Sequence, residues 1–309
     1  MPPSADRLRL TPTLLREHLF ARLLPLWRER ALDRVHGGFF SRLTPALEPV
    51  PDGFKRVVVQ ARQLYSYARA AELGAGDWAG ETADAVYAFL VRAFRDTAHG
   101  GWFLTTTPAG EPLDRRKDTY AQAFVIFGLA WYARVRASAP ALRLAEETLA
   151  LLERHLADRL HGGFLEAADA DWKPLEATRR QNPHMHLYEA LLALHAASGD
   201  PRHLARTDAL VGLLRAHWVD ERGCLREHFA GDWSRLPGAP GESAEPGHHF
   251  EWAWLLEQDP RSEGRSERIA LSDALYAFAA GCGVDTDGAV FDEISADGRV
   301  VVDSKRVWP

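Results

Sequence analysis

The chain has 309 residues, of which 46% are hydrophobic and 26% charged, and its net charge is −6. These are values of a folded soluble protein, and they exclude intrinsic disorder and a strongly basic nucleic-acid-binding face. The longest apolar run, 124–132, is far below the ~20 residues of a membrane helix, and MPPSADRLRL lacks a signal peptide's apolar core. Two cysteines, Cys224 and Cys282, make neither a CxxC pair nor a disulfide framework. A cytoplasmic protein without nucleic-acid or membrane partners is therefore expected.

Length alone sets a prior of two domains or one large repetitive one, and an internal repeat decides for the second. DRVHGGFF (33–40) recurs as DTAHGGWF (96–103) and DRLHGGFL (158–165), with weaker copies DERGCLRE (220–227) and DTDGAVFDE (285–293). The leading glycines, Gly37, Gly100, Gly162, Gly223 and Gly288, are nearly evenly spaced. Between them, apolar residues at i, i+3, i+4 spacing predict helices over 10–33, 60–73, 82–94, 119–136, 143–156, 185–197, 203–218, 250–256 and 266–280. Glycine ends a helix because it tolerates positive φ. Each unit reads as helix, glycine turn with a short hairpin, polar loop and second helix. The unit is too long for tetratricopeptide or ankyrin repeats. The fold class expected is all-α, a toroid of stacked helical hairpins with an inner and an outer ring. GAGDWA at 74–79 follows a helix, not a strand, and is a loop.

The second helix of each unit opens on polar residues. Counted from the glycine, Arg62, Gln122, His186 and His248 fall at similar lags, accompanied by Tyr120, Asn182 and Glu251. In a toroid these turns converge on one end of the central cavity, and a ring of hydrogen-bonding groups there suits a polyhydroxylated ligand. The chain's ten tryptophans offer faces for a sugar ring, although most fit a packed core. Histidine suits proton transfer near neutrality because its ordinary pKa is ~6.5. His184 and His249 adjoin these motifs but should point elsewhere around their helices. His36, His99 and His161 belong to the repeat turns and read as structural.

QARQLYSY (60–67), KDTYAQAF (117–124), QNPHMHLYEA (181–190), EPGHHFEWAW (245–254) and KRVWP (305–309) resemble the N-acylglucosamine 2-epimerase superfamily. The resemblance runs along the whole chain. It implies an (α/α)6 barrel and proton transfer at a sugar C2 with no cofactor and no metal. It also implies that His248 is the acid/base, and that Glu251 orients His248 or bonds a hydroxyl. By the same resemblance His186, Asn182, Arg62 and Tyr120 grip the substrate oxygens, and Trp308 lines the pocket. The partner is then a small-molecule sugar, and the motifs sit closer to the mannose isomerase branch than to the N-acylglucosamine enzymes.

Three rival readings stand beside this one. His186, His248 and Glu251 could ligate a metal, though no HExxH is present. A glycoside hydrolase would need two flanking carboxylates, and the inner turns offer Glu251 and Glu189 as acids. A non-catalytic sugar-binding relative is the third. The predicted helices, five outer and four inner, are nine of the twelve in such a barrel, so 1–309 is expected to be a single domain whose last three helices are missing. The second catalytic histidine of that family's last inner segment has no match here. Such an open barrel leaves an apolar edge, and closure by homodimerisation is one expectation.

Overall fold

The computed structural model describes residues 5–175, 178–261 and 266–305. The outer helices are α1 (Ala5–His18), continued by a π-helical turn Leu19–Leu23 into α2 (Leu24–Arg30), then α4 (Asp77–Phe94), α6 (Ala139–His155), α8 (Pro201–Leu213) and α11 (Ser266–Cys282). The inner helices are α3 (Val57–Glu72), α5 (Thr119–Arg136), α7 (Asn182–Ser198) and α10 (Pro246–Gln258). A short α9 (Ala239–Glu242) lies before α10. The alternation expected from periodicity is therefore the one observed. The π turn has a local cause: Pro25 carries no N–H, and Leu24 N–H reaches back five residues to Leu19 O.

The two rings differ in pattern because they differ in surroundings. In outer α6 the buried residues Ala141, Leu144, Ala145, Thr148, Leu149 and Leu152 form one stripe. In inner α5 nearly every residue from Thr119 to Ala133 is buried, since the helix is enclosed by α3, α6 and α7. Gly128 marks a close approach of α5 to α3: a Cβ there would lie 2.6 Å from Ala61 O.

The five repeat turns fold alike. Gly37, Gly100, Gly162, Gly223 and Gly288 have φ of 85°, 75°, 78°, 86° and 84°. Each turn is closed by a bridge, Leu32–Phe39, Arg95–Trp102, Ala157–Phe164, Val219–Leu225 and Val284–Val290. The segment entering each inner helix pairs antiparallel with the hairpin of the following repeat: Lys55–Arg56 with Thr105–Thr106, Lys117–Asp118 with Ala167–Ala168, Arg179–Arg180 with His228–Phe229, and Ser243–Ala244 with part of Phe291–Ser295. This stitching fixes the first turns of α3, α5, α7 and α10 at the same end of the barrel.

Buried polar clamps hold each turn to its inner helix. Lys55 donates to Asp33 at 2.7 Å and Lys117 to Asp96 at 2.6 Å, and Arg179 pairs with Asp158. Gln60 accepts from Phe39 N and donates to Phe39 O, and Gln122 treats Trp102 the same way. His184 Nε2 accepts from Phe164 N, and His249 Nε2 from Leu225 N. Gln60, Gln122, His184 and His249 are thus one structural position. Grouping Gln122 with the inward-facing polar residues is corrected here: it faces its turn, while the expectation that His184 and His249 point elsewhere agrees with the geometry.

Candidate active site

His248 lies in the first turn of α10 and is 3% exposed. Its Nδ1 is 3.0 Å from Glu227 Oε1 and 3.7 Å from Glu245 Oε2, and its Nε2 is 3.3 Å from Asn182 Nδ2 at the start of α7. Glu227 comes from the hairpin of the fourth repeat and is fully enclosed. Gln181, which precedes α7, donates through Nε2 to Glu227 Oε2 at 2.9 Å and accepts from Trp252 Nε1 at 2.7 Å. Burial disfavours a charged imidazole, but Glu227, with Glu245 and Glu251 behind it, outweighs burial and pushes His248 up to about 9. Burial likewise works against the Glu227 carboxylate, yet His248 and Gln181 together hold it below the ordinary range.

His186, one turn into α7, has the opposite character. It packs on Phe124 (ring centroids 4.3 Å apart) and edge-on to Tyr120 (5.1 Å). Its Nδ1 is 3.2 Å from Glu189 Oε2 and 3.9 Å from Glu251 Oε1. Burial dominates, aided by Arg62 and His248, and lowers His186 to about 3 against the pull of Glu251. Burial also pushes Glu189 up to about 7 against Arg62, and burial with the Glu189 charge raises Glu251. Arg62 lies over the Phe124 ring at 4.8 Å and makes no ion pair among the described residues.

Arg62, Phe124, His186, Glu189 and Glu251 line a cavity of about 400 Å³, closed on one side by Phe20 and Trp27 of the first outer helix. That volume is in the range of small-molecule sites. A second cavity of about 310 Å³, lined by Trp131 and Trp254, shares Tyr65, Arg69, Phe127 and Glu189 with it further along the lumen.

Of the residues expected from the sequence, Arg62, His186 and Glu251 meet at the cavity. His248 and Asn182 form a contact beside it, and Tyr120 packs against His186. Trp308 lies outside the described residues. Of the two roles open to Glu251, orienting His248 is not the one its position serves. The carboxylate on His248 Nδ1 is Glu227, while Glu251 comes within 3.9 Å of His186. Glu227 and Gln181 were not anticipated. A signal existed: Glu227 stands four residues after its repeat glycine, as Glu166 does after Gly162, and Glu166 holds Arg180 beside α7.

The family model for N-acylglucosamine 2-epimerase (GlcNAc 2-epimerase) matches residues 38–309. The chain belongs to this family. The cellobiose 2-epimerase of Bacteroides fragilis is 30% identical over 294 residues, covering 90% of this chain and 74% of that one. The mannose-6-phosphate isomerase of Rhizobium meliloti is 33% identical over 296 residues, covering 93% and 73%. A crystal structure of D-mannose isomerase superposes with a TM-score of 0.86 at 23% identity, covering 99% of this chain and 78% of that one. Its likeness is one of fold, and the (α/α)6 barrel type is the architecture of this N-acylglucosamine 2-epimerase family member. Its relatives include sugar 2-epimerases and mannose isomerases.

Proposed function

We propose that this chain is an aldose–ketose isomerase for an unphosphorylated mannose-type sugar. The observation that carries the reading is geometric: His248, with Glu227 3.0 Å from Nδ1 and Asn182 3.3 Å from Nε2, stands near His186 at one end of the lumen. Glu227 pushes His248 up to about 9 while burial lowers His186 to about 3, so the first can give a proton where the second hydrogen-bonds. In the proposed sequence His248 Nε2–H gives its proton to the ring oxygen while the anomeric hydroxyl gives its own to the Glu251 carboxylate, which opens the ring. His248, now neutral, removes the C2 proton as Glu251 returns its proton to the aldehyde oxygen, giving an ene-diol. His248 then returns the proton to C1 while the O2 hydroxyl gives its own to Glu251, giving the ketose. One amide atom of Asn182 stands 3.3 Å from His248 Nε2 and the other is buried without a hydrogen-bond partner; against a protonated Nε2 the amide oxygen takes the near place, and the NH2 is left to donate to a substrate hydroxyl. Arg62 and His186 would hold the neighbouring oxygens. The cavity's Arg62 faces two carboxyls, Glu189 and Glu251, a balance that disfavours a phosphorylated ligand.

A 2-epimerase is the second reading, supported by the relative from Bacteroides fragilis. Incubation with mannose in D2O, followed by NMR, separates the two. Fructose deuterated at C1 is the isomerase outcome, and glucose deuterated at C2 the epimerase outcome. A folded protein that exchanges no proton on any aldose would sink both.

A further inference from the structure

We propose that Glu227, locked in place by Gln181, is a positioning residue that keeps the His248 Nδ1 protonated and presents Nε2 as the reacting atom. The inference rests on the reading of His248 as the acid/base, and deepens it.

The geometry leaves Glu227 little freedom. Its backbone N–H donates to Ser243 O at 3.1 Å, and its C=O accepts from Gln181 N at 3.3 Å, so the strands on both sides hold it. The side chain is 2% exposed and Gln181 is wholly buried. The amide of Gln181 is fixed in sense, because its oxygen accepts the Trp252 N–H. A flipped amide would set its oxygen against the Glu227 carboxylate and its NH2 against the indole N–H. With Oε2 taken by Gln181, Oε1 is left facing Nδ1 at 3.0 Å as a close ion-pair contact, and no hydrogen bond reaches it from any other group among the described residues. Gln181 Nε2 also stands 3.3 Å from Nδ1, a longer contact than its 2.9 Å bond to Oε2. The buried Oε1 is satisfied when Nδ1 carries a proton, and 3.0 Å is within reach of that bond.

The other charged or titratable groups around His248 are Glu245 at the head of α10, the adjacent His249, which burial keeps neutral against its turn, Glu251 one turn further along α10, and His186 across on α7. Neither carboxylate on α10 replaces Glu227: Glu245 Oε2 stands at 3.7 Å and Glu251 leans to His186.

The test compares wild type with Glu227→Gln and Glu227→Asp. The His248 imidazole is titrated by heteronuclear NMR, its signals assigned from a His248→Gln sample. Wild type is expected to stay imidazolium through pH 8. Glu227→Gln should titrate at least two pH units lower, and Glu227→Asp should recover part of that shift. In turnover, Glu227→Gln should lower kcat on the order of 10²-fold with KM changed less than threefold, and move the pH profile in the same direction. An unchanged His248 titration in a folded Glu227→Gln protein overturns the proposal. So does an effect confined to KM. Should wild type turn over no sugar, the functional reading fails, and the NMR titration still decides the role of Glu227.

Discussion

Two histidine–glutamate pairs stand at the same end of the lumen, nearly equally spaced, and they hold protons in opposite ways. His248–Glu227, at 3.0 Å, is an imidazolium against a carboxylate, whereas His186–Glu189, at 3.2 Å, keeps a neutral ring. Burial alone would neutralise both. The difference lies in what the carboxyl receives. Glu227 is kept ionised first by His248 itself, and a second hydrogen bond from Gln181 adds to this. Glu189 is relieved only by the more distant Arg62 and drifts up to about 7, close to Glu251, a second carboxyl under the same strain. An ionised carboxylate, supported by a buried amide, separates a charged acid/base from a neutral hydrogen-bonding ring.

The comparison predicts unequal damage when each ring is removed. His248→Ala should cut kcat by about 10²–10⁴-fold, the range for loss of a general acid/base. Steady-state assay with the sugar identified in the D2O experiment checks this, and retained turnover would refute the assignment. His186→Ala should cost about 10–100-fold in kcat/KM, most of it in KM, because a neutral ring that grips a hydroxyl supports binding before chemistry. If the two variants lost kcat equally, the division of labour between the pairs would be wrong. Gln181→Leu is the subtler break. It removes the donor on Glu227 and should lower the His248 titration by about 1–2 pH units, the worth of one hydrogen bond to a charged group. Variant and wild-type pH–rate profiles would show it.

These pairs also mark where the sequence was legible. Helix type and order followed from apolar spacing, and the ring assignment from the glycine repeat, because burial writes both into neighbouring residues. Lags counted from a glycine were weaker guides, since the polar loops differ in length and one residue turns a helical side chain by about 100°. That is why Tyr120 meets His186 while Gln122, two residues on, clamps Trp102. It is also why His248 and His249 serve different structures. Glu227 was hidden for another reason. It sits on a hairpin, and the strand pairings on either side of it, not any local pattern, carry it to His248.

Stability reads the two pairs by sign. His248 titrates near 9 in the fold and near 6.5 unfolded, so its contribution is full below pH 6.5 and is lost as pH rises towards 9. His186 titrates near 3 in the fold, so its contribution is full above pH 6.5 and is lost as pH falls towards 3. Each limb has a slope of at most about 1.4 kcal/mol per pH unit. Urea midpoints for wild type, His248→Gln and His186→Gln between pH 4 and 9 therefore carry the comparison without any substrate. The difference between wild type and His248→Gln should shrink only on the alkaline side, and that for His186→Gln only on the acid side. Other titrating groups cancel in these differences as long as each variant leaves its neighbours in place. Parallel curves for both variants would mean that the rings share one protonation state, and the role given to Gln181 would fall with the contrast it was meant to explain.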